Sequence, residues 1–460
     1  MRGHTSRFSR ERLQYIWGTM KQGPTELGYT YFRARRRKKN KADKDLWLEE
    51  WDRIPIEEPG RFDLSESALE DTKRLINAYR SADRFEIGSI QWFVPWVPTV
   101  FLGGVYTILR FAAHLRREHG VESRFCIYDV KPRSATRMVA GIRSAFPELK
   151  DAEISFRKPP GGGPDYSHLR ECDAAIATLW TSAYPVLRFQ RARIKLYFVQ
   201  DFEPYFYPAS SAFALAEQTY RFGLPGIVNT PGLADAYRQY GNAAVSFVPA
   251  VDLDRYHPPT EPRPDSPVRV FFYARPANPR NAFGLGLASL AEVKERYGDS
   301  VDVICAGESW NPGQFGFADK VGNLGRLQSL DEVAALYRTC HIGLVLMVTK
   351  HPSYQPFEFM ASGVACVSNC NTHTDWFLRD GENCLLAPPT PGHIAERIGR
   401  LVEDRGLRSR LNERALADVQ AIRWEDELER VWRAITKRDP ALLRTAPAIT
   451  VPPQSEAPRG

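Results

Sequence analysis

Between residues 87 and 250, short apolar runs alternate with amphipathic segments along the chain. The runs IQWFVPWV (90–97) and RIKLYFVQD (193–201) have the length and composition of buried strands. Between them, GGVYTILRFAAHLRREHG (103–120) has apolar positions at helical spacing and glycine at both ends. Buried strands connected by helices are typical of a parallel sheet, so this part of the chain predicts a Rossmann-like domain.

The same alternation begins again after HPPTEPRPDSPV (257–268), which has five prolines in twelve residues and is interpreted as an interdomain linker. The strands predicted beyond it include VRVFFYARP (268–276) and HIGLVLMV (341–348). The chain is therefore predicted to be α/β, with two Rossmann-like domains facing across a cleft. The predicted divisions are an N-terminal extension (1–85), a first domain (86–256), a second domain (257–422), and a C-terminal return helix with a disordered tail (423–460).

Charge is concentrated in one segment of the extension. The 460 residues carry a net charge of +7, and residues 33–44 alone hold eight basic residues and one acidic residue. This basic segment is interpreted as an electrostatic tether to anionic lipid. It lacks aromatic residues among the basic ones, so nucleic acid is not an expected partner. A non-enzymatic protein that binds an anionic surface through this segment, and a solvated flexible arm, are the alternatives.

The remaining composition predicts a cytoplasmic protein. Seven cysteines without CxxC spacing favour a reducing compartment over a disulfide framework or a zinc ribbon. No apolar run approaches the roughly 18 residues that span a bilayer, and the first residues lack the apolar stretch of a secretory signal. We expect the protein to lie in the cytoplasm, with peripheral attachment to the inner face of the membrane through the basic segment.

The most specific motif is PFEFMASG (356–363), followed by DGENCLLAP (380–388). Glu358 falls in the first turn of a predicted helix that follows a strand, where open α/β sheets bind their ligands. The two segments resemble the donor site of glycosyltransferase family 4, whose members have the GT-B fold. The residues that carry the resemblance are Phe357, Glu358, Met360, Ala361, Gly363, Asp380, Gly381, Asn383, Leu385 and Pro388.

This resemblance implies that Glu358 is a catalytic residue that contacts the donor sugar or nucleoside, with Phe357 and Tyr354 beside it. The alternative for Glu358 is a carboxylate that only stabilises the dipole of its own helix. Lys350 stands where the family commonly has a second Glu, and residues 372–375 (THTD) replace the usual Gly-Gly-x-x-Glu. These differences indicate a donor sugar other than glucose or mannose.

Basic residues follow the first strand of the second domain. Arg275 and Arg280 resemble the family's pair of cations that bind the donor diphosphate, and guanidinium groups suit that task because they donate paired hydrogen bonds. Arg326, after a later strand, is a third candidate. A surface ion pair is the alternative for Arg275 and Arg326. The segment YARP (273–276) resembles bacterial surface-glycan rhamnosyltransferases that act in S-layer and rhamnan assembly.

The first domain offers two glycines and an acid. Gly103 and Gly104 resemble the family's glycine-rich loop, which implies contact with the donor diphosphate; alone they would be an ordinary turn. Asp201 ends a predicted strand where many family members have a histidine, and it is the second candidate catalytic residue. The alternative for Asp201 is a residue that only caps a turn.

The resemblance as a whole implies a retaining, metal-independent hexosyltransferase. Its expected donor is dTDP-L-rhamnose, and its expected acceptor is a growing cell-surface polysaccharide or a lipid-linked glycan. No cofactor or metal is expected, because the nucleotide sugar is a substrate and Asp252-Leu-Asp254 resembles a structural segment of the family. A nucleotide-sugar epimerase of the same fold is the alternative enzyme.

Overall fold

The computed structural model describes most of the chain and divides it into two compact units. The described residues are 62–100, 103–129, 135–156, 166–317 and 320–444, so the basic segment at 33–44 and the predicted tail beyond 444 lie outside them. Within this range, the first unit comprises residues 62–249, 349–351 and 422–444. The second unit comprises residues 250–348 and 352–421.

Strands and helices alternate through both units, as the sequence predicts. The strands are β1 (Ser89–Val94), β2 (Glu122–Ile127), β3 (Glu153–Phe156), β4 (Cys172–Ala177), β5 (Ala192–Val199), β6 (Gly226–Asn229), β7 (Ala244–Phe247), β8 (Val268–Ala274), β9 (Val301–Gly307), β10 (Gly322–Asn323), β11 (Ile342–Val345), β12 (Ala365–Asn369) and β13 (Leu385–Ala387). The α-helices are α1 (Glu66–Ser81), α2 (Gly103–His119), α3 (Thr136–Ala145), α4 (Trp180–Arg188), α5 (Ser211–Thr219), α6 (Pro231–Arg238), α7 (Phe283–Tyr297), α8 (Leu330–Thr339), α9 (Gln355–Ala361), α10 (Pro391–Glu403), α11 (Arg405–Gln420) and α12 (Trp424–Ile435).

Each unit is built on one parallel sheet. The first sheet has the order β3-β2-β1-β4-β5-β6-β7, and the second has the order β10-β9-β8-β11-β12-β13. All strand pairs within both sheets are parallel. Both orders reverse direction beside their first strand, which is the doubly wound arrangement of Rossmann-like folds. The predicted α/β class with two Rossmann-like sheets is confirmed.

The core of the first unit includes helices from both ends of the described chain. In α1, Thr72, Ile76 and Tyr79 are buried, and the Tyr79 hydroxyl donates a hydrogen bond to the Ile435 carbonyl at 2.9 Å. The fully buried Lys195 ammonium of β5 donates to the Thr72 hydroxyl at 3.1 Å. The described part of the N-terminal extension is therefore integral to the first unit, and α12 returns to the same core.

The Arg263 side chain helps to hold the proline-rich segment before β8 in the second unit. Arg263 donates hydrogen bonds to three main-chain carbonyls, those of Arg338, Ser362 and Gly363, at 2.9, 2.8 and 2.7 Å. Burial lowers the pKa of Arg263 to about 10. The segment predicted as a linker thus packs as part of the second unit. In the described ranges, no helix has both the length and the hydropathy that crossing a membrane requires.

Candidate functional site

The second sheet changes winding direction between β8 and β11, which lie side by side. In open parallel sheets, ligands bind outside the carboxyl ends of the strands at such a point. Two segments leave the sheet there: Arg275 immediately follows β8, and residues 346–354 connect β11 to α9. This edge of the second sheet is therefore the first candidate binding site.

Two asparagines fix the connection after β11. The Asn369 side chain accepts a hydrogen bond from the Met347 backbone N–H at 2.7 Å and donates one to the Met347 carbonyl at 3.0 Å. Asn371 donates a second hydrogen bond to the same carbonyl at 3.1 Å. Because Asn369 ends the neighbouring strand β12 and Asn371 follows it, they hold the two strand ends in a fixed relation and position the start of α9.

Arg275 is half-exposed at the end of β8. Its Nε lies 3.4 Å from the Glu308 carboxylate, and its guanidinium lies 5.7 Å from the Tyr273 ring centre. Glu308 also accepts a hydrogen bond from the Ala277 backbone N–H at 3.0 Å. Arg275 thus forms an ion pair, which was the alternative given for it from the sequence. This ion pair holds the guanidinium at the carboxyl edge of the sheet.

Arg280 lies in a short 3₁₀ turn, Pro279–Asn281, that follows β8. Burial lowers the pKa of Arg280 to about 10, far enough above neutrality that the group stays charged at physiological pH. The Asn278 side chain starts this turn by accepting a hydrogen bond from the Arg280 backbone N–H at 3.3 Å. Two cations therefore follow β8 within six residues, and both are partly desolvated, which strengthens their interaction with an anion.

Glu358 lies in the first turn of α9, as predicted. Burial raises the pKa of Glu358 to about 7, although the nearby hydroxyls of Tyr256 and Tyr337 and the charge of Arg255 act in the opposite direction. The group therefore titrates near neutral pH. Perturbed carboxyl groups of this kind are enriched at functional sites, since a group with a pKa near 7 can exchange a proton or accept a strong hydrogen bond.

The other residues predicted in the second unit have different positions. Tyr354 is half-buried directly before α9, and its backbone carbonyl accepts a hydrogen bond from the Glu358 backbone N–H at 3.1 Å. Phe357 is fully buried and stacks on Phe377 with ring centres 4.2 Å apart, so its side chain has a packing role. Arg326 is exposed after β10, an edge strand two positions away from β8.

In the first unit, the predicted glycines begin α2. Gly103 has a φ of +52°, a conformation that other residues adopt only with strain. A Cβ on Gly104 would lie 2.7 Å from the side-chain nitrogen of Gln200, at the end of β5. The backbone conformation at Gly103 and the lack of space at Gly104 therefore explain why glycine stands at each position. Gly104 also lets the start of α2 lie close to the carboxyl end of β5.

Asp201 follows β5 and is the centre of a hydrogen-bonded cluster. Its Oδ1 accepts hydrogen bonds from the Phe202 backbone N–H at 2.7 Å and the Thr349 hydroxyl at 2.5 Å. The same oxygen lies 3.2 Å from Nε2 of His351. The side chains of Asp201 and His351 are only 13% and 11% exposed, so this is a largely desolvated carboxylate–imidazole pair.

Two charged residues near Asp201, Glu203 and Lys350, make contacts that stabilise the structure. Glu203 is buried, where it accepts hydrogen bonds from the Tyr197 hydroxyl at 2.8 Å and from the Trp180 backbone N–H. Burial raises the pKa of Glu203 to about 8 despite these hydrogen bonds. The Lys350 ammonium lies 4.2 Å from the centre of the Phe202 ring. Lys350 thus holds the Thr349–His351 segment in the first unit through a cation–π contact.

Sequence reasoning missed His351 and Thr349. They lie about 150 residues after Asp201 in the chain, and no local motif marks either one. One signal existed: many family members have a histidine where this chain has Asp201, so a histidine could have been sought elsewhere. The structure brings His351 to that position from the connection after β11.

Comparison with protein families follows the same division of the chain. Residues 93–230 match the model described as "WsaF, N-terminal domain", and residues 268–399 match "WsaF, C-terminal domain". Together, the two matches span more than half of the chain. The chain belongs to the WsaF family.

One relative of this WsaF-family chain is the O-antigen biosynthesis protein RfbC of Myxococcus xanthus, which is 43% identical over 392 residues. The match covers 84% of the present chain and 29% of RfbC, so the chain spans less than a third of that protein.

Two solved structures show the same fold at low sequence identity. Anabaena HepE, crystallised with UDP-glucose, has a TM-score of 0.57 at 14% identity over 77% of this chain and 99% of its own. Staphylococcus aureus TarM, in complex with fondaparinux, α-GlcNAc-glycerol and UDP, has a TM-score of 0.59 at 9% identity over 76% of this chain and all of its own. The fold is that of GT-B glycosyltransferases, as predicted.

Proposed function

We propose that this chain is a retaining, metal-independent glycosyltransferase that moves a sugar from a nucleotide-diphosphate donor to a growing cell-surface polysaccharide or lipid-linked glycan. The observation that carries the proposal is the pair of cations after β8, Arg275 and Arg280, at the switch point of the second sheet. HepE with UDP-glucose and the O-antigen biosynthesis protein RfbC support a nucleotide-sugar donor and a polysaccharide product. L-Rhamnose from dTDP-L-rhamnose is the proposed donor, on the resemblance of residues 273–276 to surface-glycan rhamnosyltransferases.

The cations would act on the leaving group. When the bond between the sugar and the diphosphate of the donor breaks, negative charge accumulates on the departing diphosphate. Guanidinium groups that are already in place stabilise this charge without reorganisation at the moment of reaction, which is the main way such sites lower a barrier. Arg275 is held by Glu308 and Arg280 by its 3₁₀ turn, so both satisfy this condition.

Glu358 would accept hydrogen bonds from sugar or ribose hydroxyls. Its ionised form is a stronger acceptor than a neutral group. Because the pKa of Glu358 is raised to about 7, the ionised fraction at neutral pH is substantial and depends strongly on pH. Donor use is therefore expected to increase with pH in this range.

In the first unit, Asp201 would act through His351. A carboxylate hydrogen-bonded to an imidazole fixes the orientation and tautomer of the ring and stabilises its protonated form. The Asp201 carboxylate holds His351 at 3.2 Å, and the Thr349 hydroxyl holds the same carboxylate oxygen. We assign the pair the task of orienting the acceptor hydroxyl and receiving its proton during transfer.

The test is a transfer assay with purified chain, a panel of nucleotide sugars and a lipid-linked glycan acceptor. The proposal predicts dTDP-L-rhamnose turnover that requires acceptor, retention of the anomeric configuration by NMR, and an unchanged rate after EDTA treatment. Donor conversion without acceptor would identify an epimerase instead. Inverted product, or no transfer from any donor in the panel, would contradict the proposal.

For the basic segment at 33–44, we propose attachment to the anionic inner face of the membrane, where a lipid-linked acceptor would be located. Each basic residue near such a surface contributes about 1 kcal/mol of attraction. Co-sedimentation with phosphatidylserine vesicles should therefore be strong at low salt and weak at high salt, and deletion of residues 1–44 should remove it. Equal sedimentation with neutral vesicles would contradict the proposed electrostatic attachment.

A further inference from the structure

Three side chains with metal-binding atoms meet where α2 and α12 pack together in the first unit. His114 and His119 belong to α2, and Glu429 belongs to α12. One potential ligand atom from each of the three lies within 4.8 Å of the other two. His119 Nε2 is 2.8 Å from the Glu429 carboxylate. The cluster lies outside both candidate transfer sites, and neither the family match nor the relatives' names assign it a role.

The second observation is that His114 has no hydrogen-bond partner within the described residues. The residue is 4% exposed, and both of its ring nitrogens are buried without a donor or acceptor. His341, another buried histidine, has partners for both ring nitrogens: its Nδ1 accepts from the Arg269 backbone N–H at 3.0 Å, and its Nε2 donates to the Pro264 carbonyl at 2.9 Å. An unsatisfied buried imidazole costs free energy unless a ligand completes it.

A neighbouring aromatic ring restricts the orientation of His119. The His119 ring stacks on Trp432, one turn beyond Glu429 on α12, with ring centres 4.6 Å apart. This contact fixes the plane of the imidazole.

We propose that His114, His119 and Glu429 bind a divalent transition metal ion, of which Zn²⁺ best fits the donor set, and that this ion joins α2 to α12. Two imidazole nitrogens and one carboxylate oxygen form a known zinc ligand set that leaves a fourth position for water. Tetrahedral zinc bonds of about 2.0–2.1 Å place ligand atoms roughly 3.3 Å apart, so side-chain shifts on the order of 1 Å assemble the site.

The ion has a structural task in this arrangement. Helix α12 follows the second unit in sequence and returns to the first unit, where Leu428, Val431 and Trp432 enter the core. A metal bound by both helices stabilises this closure, because binding to the folded chain alone shifts the unfolding equilibrium by mass action. Transfer itself does not use the ion. Metal-independent transfer and metal-dependent stability are therefore separable predictions.

The experiment uses the full-length, untagged chain stripped with EDTA and titrated with Zn²⁺ against a chromophoric chelator. A Cys370→Ser background removes the exposed thiol, and His168→Ala in that background is the matched control, since His168 is an exposed histidine of the same unit. We expect one Zn²⁺ per chain and a higher melting temperature with Zn²⁺. Glu429→Gln and His119→Ala should lower Zn²⁺ affinity at least about 100-fold, because even residues that only support metal ligands typically contribute about 10- to 100-fold.

The result is interpretable even if one variant is unstable. Glu429 is 40% exposed, so Glu429→Gln is expected to fold, and circular dichroism of the EDTA-treated protein checks this. Tetrahedral Co²⁺ absorption bands that disappear in His114→Ala would confirm the third ligand. Zn²⁺ binding equal in Glu429→Gln and the His168→Ala control, or no binding by the parent, would overturn the proposal. If transfer fails while Zn²⁺ still binds one to one, the proposed function is wrong and the metal site stands.

Discussion

The two sheets have the same winding but carry opposite chemistry at their carboxyl ends. After β5 of the first sheet, a desolvated carboxylate, Asp201, holds an imidazole. After β8 of the second sheet, two arginines are partly desolvated. The fold supplies the same kind of edge twice, and the residues immediately beyond the strands decide its charge. In a transferase, the basic edge suits the diphosphate leaving group and the acidic edge suits the hydroxyl that loses a proton.

The two edges also differ in how their charged groups are held. At the first edge, Asp201 depends on Thr349 and His351, which come from a distant part of the chain. At the second edge, each cation is held by a residue close to β8, Asn278, or directly after the adjacent β9, Glu308. Long-range assembly makes the first edge sensitive to single substitutions, whereas local assembly makes the second edge recognisable from sequence.

The largest effect is expected at the acidic edge. Asp201→Asn and His351→Ala should each lower kcat about 10²- to 10⁴-fold, the usual contribution of a positioned acid or base, with little change in donor KM. The double variant should be no slower than the slower single variant, because the two groups act as one unit. Steady-state kinetics checks this, with the exposed Asp235→Asn as control. Additive losses would show that Asp201 and His351 act independently. An unchanged kcat in both single variants would show that the acidic edge takes no part in the reaction.

Glu358→Gln tests whether the second edge also needs a carboxylate. Burial raises the pKa of Glu358 to about 7, so its ionised form increases as pH rises through that value. We expect wild-type kcat/KM to increase from about pH 6 to about pH 8. The variant should be about 10- to 100-fold slower at the upper end with a flatter profile, since hydrogen bonds to charged groups are worth about 1.5–3 kcal/mol. Identical pH profiles would show that ionisation of Glu358 plays no part.

Glu203→Gln separates the structural carboxyl at the first edge from the functional one two residues earlier. Its folded-state pKa is raised from 4.5 to about 8, so the folded chain holds a proton that the unfolded chain has released in that range. The stability of the wild type should therefore fall as pH rises from about 4.5 to about 8, and the variant should lose this part of the dependence. Melting temperatures across this range check it, and the gap between variant and wild type should widen in favour of the variant. A constant gap would contradict the raised pKa.

The smallest effect is expected at Lys350, which holds the Thr349–His351 segment against Phe202. Lys350→Gln should reduce the free energy of unfolding by about 0.5–1 kcal/mol, the usual value of a cation–π contact that is not fully desolvated. Chemical denaturation measures this change, with the exposed Lys150→Gln as control. Loss of activity much larger than the loss of stability would mean that Lys350 acts in the reaction directly.

The fold could be predicted where apolar runs were continuous and the breaks between them polar. VRVFFYARP became β8, and the helix predicted at 103–120 is α2. Strand β6 was missed because its four residues, Gly226–Asn229, begin inside one Pro-Gly pair and stop shortly before a second pair at 231–232, which together resemble a loop. Helix α4 was missed because it has only nine residues and contains Pro185, which is usually taken to interrupt a helix.

The candidate site was predictable where its residues belong to one segment. Glu358, Arg275 and Arg280 were all identified from local motifs, and the structure places them after neighbouring strands of one sheet. The burial of Glu203, two residues after Asp201, could not be predicted, because it lies in a 3₁₀ turn, where strand alternation no longer decides which side chain is buried. His351 could not be predicted, because contact across about 150 residues depends on the packed fold.

The central claim is that the basic edge binds the diphosphate and the acidic edge does not. The most direct measurement is calorimetric titration of dTDP into the wild type, Arg275→Ala, Arg280→Ala and Asp201→Asn, with the exposed Arg405→Ala as control. We predict that Kd rises about 10- to 100-fold in the first two variants, since each removes a charge-assisted hydrogen bond worth about 1.5–3 kcal/mol. Asp201→Asn and Arg405→Ala should leave Kd within about twofold of the wild type. Unchanged Kd in both Arg275→Ala and Arg280→Ala, or a large loss of binding in Asp201→Asn, would contradict the account.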